Sequence, residues 1–274
     1  MITIRSNISA NTLLHFTEKK EHLINILCNG FYPSYCIENV DFFYKEKYRG
    51  GFAPTEIAIP MVCFCDIPLS QIEIHVENYG GYALGLTKEW GIKNGINPVM
   101  YESPESNPIR KIRESLDKTF KYLFGQYIES EEGHILQALG NELLFFLFYL
   151  KPYKGKKWDQ NKSEFIGEEI KFYNEREWRY IPEYNEFKEK SVKSYITKND
   201  YLDKDSKNAY NSKLQSLFNL SFTPKDIKYI IVEKEVEVLE MVKKVEEIKQ
   251  HFTADDKKLL CTKIVSLERI SEDF

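Results

Sequence analysis

The 274-residue sequence has no long hydrophobic run. The longest, LLFFLFYL from Leu143 to Leu150, falls far short of the ~20 residues of a membrane span. Asn141 and Glu142 stand just before it, and it reads as a core helix. The opening MITIRSNISANTLLHF lacks the apolar core of a secretory leader, so a cytoplasmic chain with reduced thiols and no membrane contact is expected. A basic excess is also missing. Lys and Arg number 38 against 42 Asp and Glu, a net charge of −4, which argues against a general nucleic-acid binder. No phosphate loop, dinucleotide fingerprint, internal repeat or low-complexity tract is visible. Cysteine is scarce and poorly spaced for metal. Cys63 and Cys65, two apart on one face of a predicted strand, join Cys28, Cys36 and Cys261. Cys28 and Cys36 would complete a four-thiolate set, yet the spacings match no common zinc knuckle. Buried apolar cysteines and no bound metal are expected.

What is present suits a sizeable core, with 42% hydrophobic and 14% aromatic residues. TLLHFT (Thr12 to Thr17) reads as a strand, and Thr17 as the cap of a helix that Gly30 ends. Turns are expected to about Thr55. IAIPMVCFCDIP reads as extended, with Pro60 at an edge or bulge. LSQIEIHVENYGG predicts a short helix closed by Gly80 and Gly81. YALGL predicts a strand, Thr87 to Asn94 a helix and NPVMY another strand. Ile112, Leu116, Phe120, Leu123 and Tyr127 recur at helical spacing, and a second helix covers Gly133 to Leu150. Residues 183–213 read as loop with some helix. IKYIIVEKE starts as a strand, Val238 to Ile248 form an amphipathic helix, and TKIVSLERI is a last strand. The fold class is α+β, a central mixed or antiparallel sheet with a helical insertion at about 105–155, in one domain over 1–274.

Three groups of residues offer chemistry. His75 and Tyr79 lie four apart on one helix face, ahead of a Gly-Gly turn that lets a ligand approach backbone closely. His15 interrupts an apolar strand. FYNEREWRYIP (Phe172 to Pro182) crowds two glutamates, two arginines and four aromatics together. Read as a strand, it places Glu175, Glu177 and Arg179 on one face, where burial demands pairing or a wet cleft. Either a structural ion network or a site with a carboxylate base and an arginine for an anion explains it. A basic loop of Lys151, Lys154, Lys156, Lys157 and Trp158 leaves an RNA-binding reading open but not favoured.

LLHFT, IPMVCFCDIPLSQIEIHVENYGGYALGLTKEWGIKNGINPVMY, FYNEREWRYIP and FTPKDIKYIIVEKE, in that order, resemble the AbiGi proteins of bacterial abortive-infection systems. The resemblance spans about residues 12–235. It implies a phage-resistance component that is the antitoxin partner of a nucleotidyltransferase-like toxin. The order of strand histidine, Tyr-Gly block and late glutamate is also similar to ADP-ribosyltransferase folds, although their Ser-Thr-Ser motif is absent. That second resemblance implies a split sheet and NAD as cofactor. His15 would then hold the ribose, and Tyr79 or Tyr82, with His75 nearby, would face the nicotinamide. Glu177 would orient the ribose hydroxyl, with Glu175 at the two-glutamate spacing of some members.

Overall fold

The computed structural model describes residues 10–43, 55–123, 130–248 and 252–273. Apolar and β-branched residues make Thr12–Thr17 the first strand, β1. Helix α1 (Lys20–Asn29) follows, buries Leu23 and Leu27, and stops at Gly30, whose N–H donates to the Ile26 carbonyl at 2.8 Å. Its N-cap is Lys19 rather than Thr17, whose hydroxyl lies 3.2 Å from His22 Nδ1. The stretch read as turns contains a strand, β2 (Ser34–Asn39), before the ten-residue β3 (Glu56–Cys65). Helix α2 (Glu73–Tyr79) ends at Gly80, with φ of 101°. A Cβ there would fall 2.3 Å from Glu18 Cα, so only glycine fits this turn. Strand β4 (Tyr82–Thr87) leads into α3 (Lys88–Lys93), capped by the Thr87 side chain, which accepts from the Trp90 N–H. NPVMY supplies two short strands, β5 (Asn97–Pro98) and β6 (Met100–Glu102).

The insertion is a helix pair, α4 (Asn107–Leu123) and α5 (Glu131–Leu147). Tyr127, expected on the first helical stripe, lies outside the described residues. The LLFFLFYL run is only partly helical. It leaves Phe146 exposed, buries Leu147 and Phe148, and enters β7 (Leu150–Pro152) at Leu150. Part of the expected basic loop is therefore strand, and an unforeseen hairpin follows, β8 (Gly155–Asp159) and β9 (Glu164–Ile170). The strand expected over Phe172 to Pro182 is shorter. Phe172–Glu175 form a 3₁₀ turn, Arg176 takes a left-handed conformation (φ 44°), and only Glu177–Tyr180 pair as β10. Residues 183–213 are mostly helical. They hold α6 (Tyr184–Glu189), the two-residue β11 (Ile196–Thr197), α7 (Lys198–Leu202) and the start of α8 (Lys204–Leu217). Strand β12 (Ile227–Val232), α9 (Val238–Ile248) and α10 (Ala254–Cys261) come next. The expected last strand splits into β13 (Ile264–Ser266) and α11 (Leu267–Asp273).

Nine of these strands form one mixed sheet, in the order β13-β12-β4-β1-β3-β10-β5, with β2 and β11 also on β3. Its ladders are antiparallel except β12 with β13. The sheet is thus α+β and mixed, with β1 and β12 both paired to β4. β3 organises it. β2 pairs with β3 from Glu56 to Met61, while β1 meets it at Leu14–Cys65. β11 covers Ile57–Ala58 and β10 covers Val62–Cys65, so Pro60 falls in the interval between them, where a missing N–H removes no bond to either. One apolar cluster packs α4, α5 and α8 on the β2 half of β3. Another packs α1, α3, α9 and α10 against β1, β4 and β12. Among the described residues, no helix is long and apolar enough to cross a membrane.

Candidate functional site

A cleft of about 620 Å³ opens over Val62–Phe64, the stretch of β3 between its β2 and β1 partners. His15, His75, Tyr79, Glu175 and Glu177 all line it. The fold thus brings together five of the six residues that the sequence singles out. Tyr82 stands apart, with its hydroxyl donating to Glu237 Oε1 at 3.0 Å beside Lys20.

The wall of the cleft is an ion network. Arg179, 1% exposed, donates from Nε to Glu177 Oε1 (2.7 Å), from Nη2 to Glu38 Oε1 (2.7 Å) and from Nη1 to the Phe148 carbonyl (2.8 Å). Lys151 donates to Glu177 Oε2 (3.0 Å) and Glu175 Oε2 (2.7 Å), and its ammonium lies 4.6 Å from the Phe172 ring centre. Sequence reading placed Lys151 in a solvated loop. Parallel pairing of β7 with β6 buries it instead. Its signal was the junction of LLFFLFYL with KPY, where an apolar run carries the lysine into the core. Burial alone would raise the Glu177 carboxyl, but the Arg179 and Lys151 charges outweigh it and hold the group well below the ordinary carboxylate range. The 3₁₀ turn at Phe172–Glu175 breaks strand alternation, yet it still delivers Glu175 to Lys151. Glu175 also accepts from the Tyr79 hydroxyl at 3.1 Å.

The histidines are set by backbone carbonyls. His15 Nδ1 lies 2.7 Å from the Cys63 carbonyl, and His75 Nε2 lies 3.1 Å from that of Glu175. A carbonyl only accepts, so each of those nitrogens carries the proton. Burial lowers both pKa values and keeps the rings neutral. His15 packs edge-on to Phe31, with ring centres 5.1 Å apart, and against Phe64 at 5.7 Å. Phe16, on the other face of β1, lies 5.9 Å from His75. Cys63 and Cys65 also line the cleft, and burial pushes both thiols well up. Among the described residues, no group of three or more His, Cys, Asp or Glu is placed to hold a metal ion.

Comparison with known proteins bears on this geometry. A family model described as "Putative abortive phage resistance protein AbiGi, antitoxin" matches residues 29–233. The chain is 31% identical over 262 residues to "Abortive phage resistance protein AbiGi" of Lactococcus lactis subsp. cremoris, covering 89% of this chain and 100% of that one. No solved structure matches. Neither match lends support to the ADP-ribosyltransferase reading or to NAD.

Proposed function

The chain belongs to the AbiGi family of abortive phage resistance proteins, and from that premise we propose that it acts as an antitoxin, restraining a partner toxin by binding it. The family match over residues 29–233 carries the reading. The chemistry of the cleft agrees with it. A general base works best with a pKa near the working pH, and Glu177 is held far below that by two cations. A nucleophilic cysteine needs a lowered pKa, and the thiols of Cys63 and Cys65 are raised. The charged groups here bind one another and fix the wall of a cleft.

Co-expression tests the proposal. The chain is expected to be harmless alone in a bacterial host, and to restore growth when expressed with a toxic product of a neighbouring gene. Toxicity of this chain alone, or no relief of its neighbour's toxicity, would overturn it.

A further inference from the structure

The cleft has a lining more specific than an antitoxin needs for a protein surface. Its volume of about 620 Å³ lies within the range of small-molecule sites, and aromatic side chains flank it: Phe16, Phe31, Phe64, Tyr32 and Tyr79. Its charges are already matched. Lys151 serves two glutamates, Arg179 serves Glu177 and Glu38, and three carboxylates face two cations. Lys157, which donates to Asn78 at 2.5 Å, is not part of the lining. An anionic ligand would therefore meet a surplus of negative charge. His15 adds direction. Its Nδ1–H is spent on the Cys63 carbonyl, which makes Nε2 the acceptor nitrogen of a ring wedged against Phe31 and Phe64.

We propose that this cleft binds an uncharged planar heteroaromatic ring bearing an N–H donor, of the nucleobase type, stacked among the aromatics and donating to His15 Nε2. Aromatic side chains take any base by its π-face, and the His15 acceptor favours rings with a donor at the edge. The inference is independent of the antitoxin reading, because it concerns the chain by itself. It also sets the cleft apart from a site for nucleotides, whose phosphates would find no free cation among the described residues of the lining.

The test uses the purified full chain, calorimetric titration and thermal shift. The probes are adenine, guanine, cytosine and uracil, their nucleosides, and the 5′-monophosphates of those nucleosides. Saturable one-to-one binding of at least one base or nucleoside is expected, with the matching monophosphate at least tenfold weaker at low salt. Free base and nucleoside arms show whether the sugar contributes. His15→Phe keeps the ring and removes the acceptor, and should weaken binding about tenfold while the melting temperature holds. If that variant is itself destabilised, Ser34→Trp at the exposed rim of the cleft serves instead, and should block binding. No binding of any probe at millimolar concentration, tighter binding of monophosphates, or undiminished binding by folded Ser34→Trp would each overturn the proposal.

Discussion

At the scale of single residues, Glu177 concentrates the argument. It is 8% exposed and is the carboxylate that Arg179 and Lys151 share. Removing its charge takes a hydrogen-bonded carboxylate away from both Arg179 and Lys151 in the interior and leaves only Glu38 to the one and Glu175 to the other. Breaking one member of such a buried set costs ~3–5 kcal/mol. Glu177→Gln should thus lower the melting temperature clearly, and any loss of phage protection should track the loss of folded protein. Full stability with protection abolished would instead mark Glu177 as a group that touches a ligand. The same residue predicts behaviour in acid. Its folded pKa lies below the ordinary glutamate value of 4.5. Its stabilisation is therefore complete above that value and is lost as pH falls below it toward the folded pKa. Chemical denaturation of the wild type should show stability dropping below about pH 4.5, and Glu177→Gln should show a shallower fall. The sequence displayed Glu175, Glu177 and Arg179 openly, because charge among aromatics is conspicuous. It hid Glu38, which reaches the network from a strand remote in the chain with no local mark of burial, and it marked Lys151 only by the apolar run that ends beside it.

At the scale of elements, the turn between α2 and β4 is the most constrained. Gly80 combines a left-handed φ with backbone contact to Glu18. Gly80→Ala should destabilise by roughly 1–3 kcal/mol from conformation alone, with the backbone overlap adding to it. It should also displace Tyr79 from Glu175, so the tyrosine's environment in ultraviolet difference spectra would change. A variant as stable as wild type would show that the turn has more room than described. Elements with strong local signals were legible: β1, α1, α2, β4, α3 and β12 all follow from periodicity and glycine stops. What failed depended on distant partners. β2 was lost in a turn-rich stretch because its pairing comes from β3. The charged residues of 183–213 concealed helices that bury only Phe187, Tyr201 and Leu214. The long strand expected at Phe172 was cut by the left-handed Arg176, a conformation that arginine propensity does not announce.

At the scale of the molecule, β4 lies between β1 from the start of the chain and β12 from near its end. Unfolding is therefore expected as one transition, coincident by far-ultraviolet dichroism and tryptophan fluorescence, across the span 1–274. Limited proteolysis should release no stable fragment beginning near residue 185, since β11 on β3 and β12 on β4 bind the two halves into one sheet. Two separate transitions, or such a fragment, would divide the chain into independent units. β3 carries a last consequence, which concerns the ribosome. Cys65 pairs with Leu14 on one side and Glu177 on the other, so half of its bonding waits for sequence made much later. At ~5–20 residues/s, several seconds of translation separate the two partners. During that interval the nascent chain carries Ile59, Met61, Val62 and Phe64, all destined for burial, on a strand without its later neighbours. A ribosome halted between β9 and β10 would hold a sticky, half-built sheet, and the yield of folded protein should fall whenever elongation slows there.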